Sequence, residues 1–236
     1  MFSYFPNIEW FFLSLITYFA GYKLTHLLYK NNPYYYQLPD DRKNYFQKNI
    51  VKTVALVGIS LVGTPVLYNG FINDIWDNDM IQRLGYIYSA LDVLGLLVVK
   101  KLPMNSKIHH VSSFLFSYMN TLVDYSKPTF WIGLPVYCVL SCYAFGVNYF
   151  LAQRLIIPLV KLRGLIRYNI GSYCFLLVFN WAYQVYNIYD RVGWNFRWDV
   201  YMFVFLVLFV ANDDVKLVRF MVHHYRKAMI GDGGYP

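Results

Sequence analysis

Charge is what this 236-residue sequence has least of: Asp, Glu, Lys and Arg make up 14% of it, against about 25% in an ordinary soluble domain. Too few charged side chains remain to coat a soluble globule of that length, which argues against a soluble fold. Glutamate is nearly absent, Glu9 being the only one. The three cysteines, Cys138, Cys142 and Cys174, are an odd number inside apolar stretches, so they read as small apolar residues rather than a disulfide framework. A disordered chain and a coiled coil are excluded too, because each needs a polar or heptad-patterned sequence. The net charge of +8 does not point to nucleic acid, since the basic residues sit between apolar blocks and form no patch on a soluble face.

What is abundant is apolar surface in blocks: 58% of the residues are hydrophobic. Residues 53–73, 128–153 and 168–189 carry no charge over 21, 26 and 22 positions, each long enough as a helix to cross roughly 30 Å of hydrocarbon. Four weaker stretches, 10–29, 84–99, 108–123 and 200–212, bring the expected number of spans to seven. The first is read as a retained span, because no basic residue precedes its apolar core. The fold class expected is therefore all-α, an integral membrane bundle of about seven transmembrane helices. Its expected divisions are 1–44 (first helix and basic loop), 45–222 (membrane domain) and 223–236 (short basic tail). Gly63, Pro65, Gly70, Pro135 and Pro158 mark places where irregular backbone is expected within spans.

Lys and Arg accumulate in short cytoplasmic loops of membrane proteins. With the N-terminus outside and the C-terminus cytoplasmic, 16 basic residues fall on the inner side and four, Arg83, Lys127, Arg191 and Arg197, on the outer side, while Lys23 lies within the first span. Tryptophan favours the headgroup level, and Trp10, Trp76, Trp131, Trp194 and Trp198 all fall at expected outer ends.

Polar groups inside spans are costly and therefore informative. Asp92 lies midway along the third expected span and must find a partner or stay protonated. At the start of the fourth, where Asn105 or Ser106 is a suitable helix cap, His109 begins a polar face that continues at helical spacing through Ser113, Ser117, Asn120 and Asp124. The sixth repeats this with Asn169, Asn180, Gln184 and Asn187, all within about 60° of one another on a helix. Two such stripes facing each other would line a cavity for an amphiphile. In it, His109 or His110 could act as a base or accept an acyl group, with Asp92 orienting the imidazole; equally, the two histidines are ordinary interfacial residues opening a helix. No metal site is expected, since none of the five histidines pair at the i, i+4 spacing of a shared helical face. His223 and His224, in the basic tail, read as solvated or as contacts to anionic lipid headgroups.

Tyr88-Ser89-Ala90-Leu91-Asp92, a short basic loop and then Lys107-Ile108-His109-His110-Val111 resemble the TLC domain family, named for translocon-associated membrane proteins, ceramide synthases and a ceroid-lipofuscinosis protein. The likeness covers residues 45–222, and its specific part runs from Asp92 to His110. It implies a multi-pass protein of an endoplasmic-reticulum-type membrane that handles lipids, or of a host-cell membrane if the AT-rich codon usage suggested by 24 Tyr and 16 Asn against 8 Ala is viral. In the ceramide synthase branch the paired histidines lie in the acyl-transfer site, with acyl-CoA as co-substrate; carried over, these are His109 and His110. Those synthases follow the pair with an aspartate-rich motif ending in glutamate, whereas only Asp124 lies between His110 and Asp190 here. The sequence thus resembles the smaller non-synthase members.

The expected function is to bind, sense or modify a membrane lipid in a cavity lined by Asp92, His109, His110, Ser113, Ser117, Asn120, Asp124, Asn180 and Gln184, with no resident cofactor. The enzymatic alternative is a sphingolipid-type N-acyltransferase using His109 or His110. A seven-span receptor fits less well, because Asp190-Arg191-Val192 falls on the outer side.

Overall fold

The computed structural model describes residues 7–192 and 198–230, Asn105 by its backbone alone. Among these residues every regular element is helical. In order they are α1 (Glu9–Tyr29), α2 (Pro33–Tyr36), α3 (Asp40–Asn73), α4 (Asn78–Val98), α5 (Met104–Leu122), a 3-10 turn (Phe130–Ile132), α6 (Gly133–Cys142), α7 (Phe145–Gln153), α8 (Leu159–Val192) and α9 (Trp198–Ile230). The greater part of each of the seven apolar stretches lies in one of the long helices or in the α6–α7 pair.

Local chemistry sets many of the ends. Asp40 and Asp41 occupy the first turn of α3, where carboxylates complement the helix dipole. Asp77 caps α4 by accepting from the Met80 amide at 3.1 Å. α3 closes on Asp74 in the left-handed region, at φ 54°, and the chain then folds the Trp76 indole over Gly70, where a Cβ would lie 2.7 Å from the ring. α5 starts at Met104 with Pro103 in the N-cap position, ahead of the Asn105 or Ser106 cap expected from sequence. Pro65 leaves α3 unbroken; the break falls instead between α6 and α7, which meet at 42° around Tyr143 and Ala144.

α3 and α4 are each long and apolar enough to cross a membrane, and the bent α6–α7 pair makes a third candidate. The other long helices interleave tyrosine, tryptophan or amide side chains with their apolar residues. α3 runs through position 44 and α9 through 222 without interruption. Arg42, Lys43, Lys48 and Lys52 are helical residues of α3, not loop charges. Trp194 and Arg197 lie outside the described residues.

The polarity of the bundle is inverted on several helices. On α8, Asn169, Asn180, Gln184 and Asn187 are 1–3% exposed while Phe175, Val178 and Val185 are 70–72% exposed. On α5, His110, Ser113, Ser117 and Asn120 are buried while Val111, Phe114, Leu115 and Leu122 face outward. Water would favour the opposite arrangement, since exposed apolar surface costs about 25 cal/mol per Å².

One end of the bundle is tied by Asn7, which lies within hydrogen-bonding range of Asp79, Gln82 and Arg83, and by Asn78, which donates to Asp124 at 3.1 Å. At the other end His26 Nδ1 and Gln47 meet the buried Tyr35 hydroxyl, and Lys101 reaches Asp41. The three cysteines are free.

Candidate functional site

Asp92 on α4 is fully enclosed and holds the site together. Its Oδ1 lies 2.8 Å from Lys52 Nζ on α3 and 2.8 Å from His110 Nδ1 on α5, the ring sitting off the line of an ideal N–H···O bond. Neighbouring positions on a helix point about 100° apart, so α5 sends its two histidines to different partners. His110 turns to α4, and His109 turns to α9, its Nδ1 3.5 Å from Asp213 Oδ2. The two rings stand nearly perpendicular, at 87°. Gly95 leaves the space in which these groups converge: a Cβ there would lie 3.1 Å from Lys48 Cε and 3.5 Å from His110 Nε2.

Beside this cluster opens a cavity of about 510 Å³, within the range of small-molecule sites. Lys48, Lys52, His109, His110, Asp213 and Asp214 form its polar wall, and Leu151, Leu176, Leu177, Leu217 and Phe220 its apolar wall. Asp214 accepts from the Tyr173 hydroxyl at 2.7 Å, and its Oδ2 has no hydrogen-bond partner among the described residues.

Of the residues expected from sequence, His109, His110 and Asn180 line this cavity, and Asp92 stands behind Lys52 and His110. The others do not line it. Ser117 donates to the Gly85 carbonyl at 2.9 Å and Asn120 to the Ile81 carbonyl at 3.1 Å, locking α5 to α4, and with Ser113 they border a second cavity of only about 50 Å³. Gln184 donates to the Gly133 carbonyl at 3.0 Å and Asn187 to the Phe130 carbonyl at 2.6 Å. Asn169 donates to Gly146 at 2.9 Å. The two polar stripes therefore do not face each other. Each grips the backbone of its own neighbour, because a carbonyl near a break or a glycine is the acceptor a polar side chain in an apolar setting can reach.

Asp124 lies beyond the end of α5, exposed, and accepts from Asn78, the Ser126 amide and hydroxyl and Lys127. Those donors, Ser126 first, hold its carboxyl below the usual carboxylate range. His224 packs on the Phe220 ring with Nδ1 2.9 Å from that residue's carbonyl oxygen, and its burial pushes the imidazole pKa down. It is not simply solvated.

Sequence reasoning missed Lys48, Lys52, Arg154, Tyr173, Asp213 and Asp214. Two signals pointed to some of them: Lys48 and Lys52 share a helical face four residues apart, and Asp213-Asp214 closes an apolar run. No group of three or more His, Cys, Asp or Glu side chains placed to hold a metal ion occurs among the described residues. Comparison with protein-family models, curated proteins and solved structures finds no match to this chain.

Proposed function

We propose that this chain is a seven-span integral membrane protein, N-terminus outside and C-terminus cytoplasmic, that binds a membrane lipid in the 510 Å³ cavity. The observation that carries the reading is the cavity's division into a charged wall around His109 and His110 and an apolar wall along α7, α8 and α9, the two halves an amphiphile requires. The topology is supported by Lys48, Ser106, Arg154 and Lys216. They come from the four segments expected on the inner side, and all line this one cavity. The resemblance to the smaller TLC members, and the endoplasmic-reticulum-type membrane it implies, belong to the same proposal. Purification in lipid nanodiscs followed by mass spectrometry of retained lipid tests it. Recovery of bulk lipid composition alone overturns it, and a cytoplasmic epitope tag at the N-terminus overturns the topology.

A second reading is lipid acyl transfer, favoured by the 2.8 Å approach of His110 Nδ1 to Asp92 Oδ1. A carboxylate on Nδ1 keeps Nε2 free as a base. In such a transfer the imidazole takes the proton of an attacking amine or hydroxyl, the acyl carbon moves from the thioester sulfur of acyl-CoA to that nucleophile, and the proton leaves with the thiolate. Turnover of acyl-CoA with a sphingoid base or lysolipid, lost in His109→Ala and His110→Ala, is the result expected. Absence of turnover by the unsubstituted protein removes this reading and leaves lipid binding intact.

A further inference from the structure

The charged wall of the cavity holds more cations than its carboxylates neutralise. Lys52 is paired with Asp92, Asp213 lies beside His109, and Asp214 accepts from Tyr173. Lys48 and Arg154 have no carboxylate within ion-pair distance among the described residues. Lys48 is 7% exposed, and its ammonium lies over the face of Tyr45, 5.8 Å from the ring centroid. The Arg154 guanidinium lies 5.8 Å from the same centroid and 4.8 Å from that of Phe220. Its Nε is buried with no acceptor among the described residues. Two like charges therefore share one aromatic ring at the edge of a cavity both of them line.

Cation–π contact offsets part of the lost hydration, but a buried, unpaired donor and two unneutralised cations remain costly. An anion on the cavity side of Tyr45 would relieve both. Arginine presents a planar fork matched to phosphate, and lysine adds a point charge. Two cations from separate elements suit a phosphate ester, which carries more charge and more acceptor oxygens than a carboxylate. Leu151, Leu177 and Leu217 line the same cavity, so a chain attached to that phosphate has an apolar path.

We infer that Lys48 and Arg154 form a binding site for the phosphate of an amphiphile's headgroup, which deepens the lipid-binding reading and rests on it. The test is titration of the purified full-length protein in neutral detergent with oleoyl lysophosphatidate, mono-oleoylglycerol, oleate and inorganic phosphate. Lysophosphatidate is expected to bind at least about tenfold more tightly than mono-oleoylglycerol, the worth of one charged hydrogen bond, and more tightly than oleate. Lys48→Met and Arg154→Gln should each abolish that preference while the affinity for mono-oleoylglycerol, which reports an intact cavity, persists. Lys48→Arg should retain the preference. Equal binding of lysophosphatidate and mono-oleoylglycerol overturns the phosphate site and leaves the lipid cavity standing. Oleate matching lysophosphatidate overturns phosphate as the recognised anion. Inorganic phosphate matching lysophosphatidate keeps the anion site and overturns the amphiphile, and failure of all four probes to bind overturns both.

Discussion

Lys52 Nζ lies 2.8 Å from Asp92 Oδ1, joining α3 to α4 through a carboxylate with no exposed surface. Removing one member of a buried pair strands the other, at about 3–5 kcal/mol, whereas replacing both with neutral side chains costs far less. Lys52→Met is therefore expected to destabilise the protein strongly, and Lys52→Met combined with Asp92→Asn to recover most of the loss. Equilibrium unfolding of the single and double variants in mixed micelles measures the coupling. Strictly additive effects would show that the pair contributes nothing as a unit.

The inverted polarity of α8 yields a mapping experiment. Spin labels on cysteines introduced at Phe175, Val178 and Val185, all at least 70% exposed, are expected to be accessible to oxygen and shielded from a water-soluble nickel chelate. Labels at Asn180 and Gln184, 3% and 2% exposed, should be shielded from both. Chelate access at 175, 178 and 185 would mean that this face meets water.

Gly63 lets α3 approach α6, since a Cβ there would fall 2.5 Å from Val139 Cγ2. Gly63→Ala is expected to cost about 1–3 kcal/mol through overpacking, and Val139→Ala in the same chain to restore part of it. Unfolding midpoints of the three proteins decide the matter; a stabilised Gly63→Ala would contradict this packing.

Asn187 donates to the Phe130 carbonyl at 2.6 Å across buried surface, while Ser172 donates to the Tyr168 carbonyl one turn back on exposed α8 surface. Truncating Asn187 to alanine removes a buried hydrogen bond, leaving the Phe130 carbonyl with the Gly133 amide as its donor, and should cost about 1 kcal/mol. Ser172→Ala should stay within about 0.5 kcal/mol. Thermal unfolding compares them directly, and equal effects would refute the distinction.

The carboxyl of Asp124 is held below its ordinary range by Ser126, Asn78 and Lys127. A lowered folded pKa contributes stability that is complete above the unfolded value, about 3.9, and disappears as pH falls through the folded value. Acidification from about pH 5 downward should therefore weaken the Asn78–Asp124 link progressively, and Asp124→Asn should remove that part of the pH dependence. Melting curves of both proteins between these pH values provide the comparison; identical slopes would place the acid sensitivity elsewhere.

Local periodicity made part of this legible. The 100° step of a helix was enough to group Asn169, Asn180, Gln184 and Asn187 on one side of α8, and to separate His109 from His110, because those relations involve one helix only. The break between α6 and α7 at Tyr143 and Ala144 left no comparable mark, while Pro65, which suggested irregular backbone, sits in an unbroken α3.

Scarce charge, the positions of the long apolar stretches and the polar faces of α5 and α8 were legible in the sequence alone, since each depends on residues a few positions apart. Tertiary structure decided what those faces meet. Lys52 and Asp92 are 40 positions apart and Tyr173 and Asp214 are 41. Both pairings follow from the lateral packing of helices, to which spacing along one chain is blind. That same packing turned most of the polar stripe residues into ties between helices, and gathered lysines that looked like loop charges around the 510 Å³ cavity.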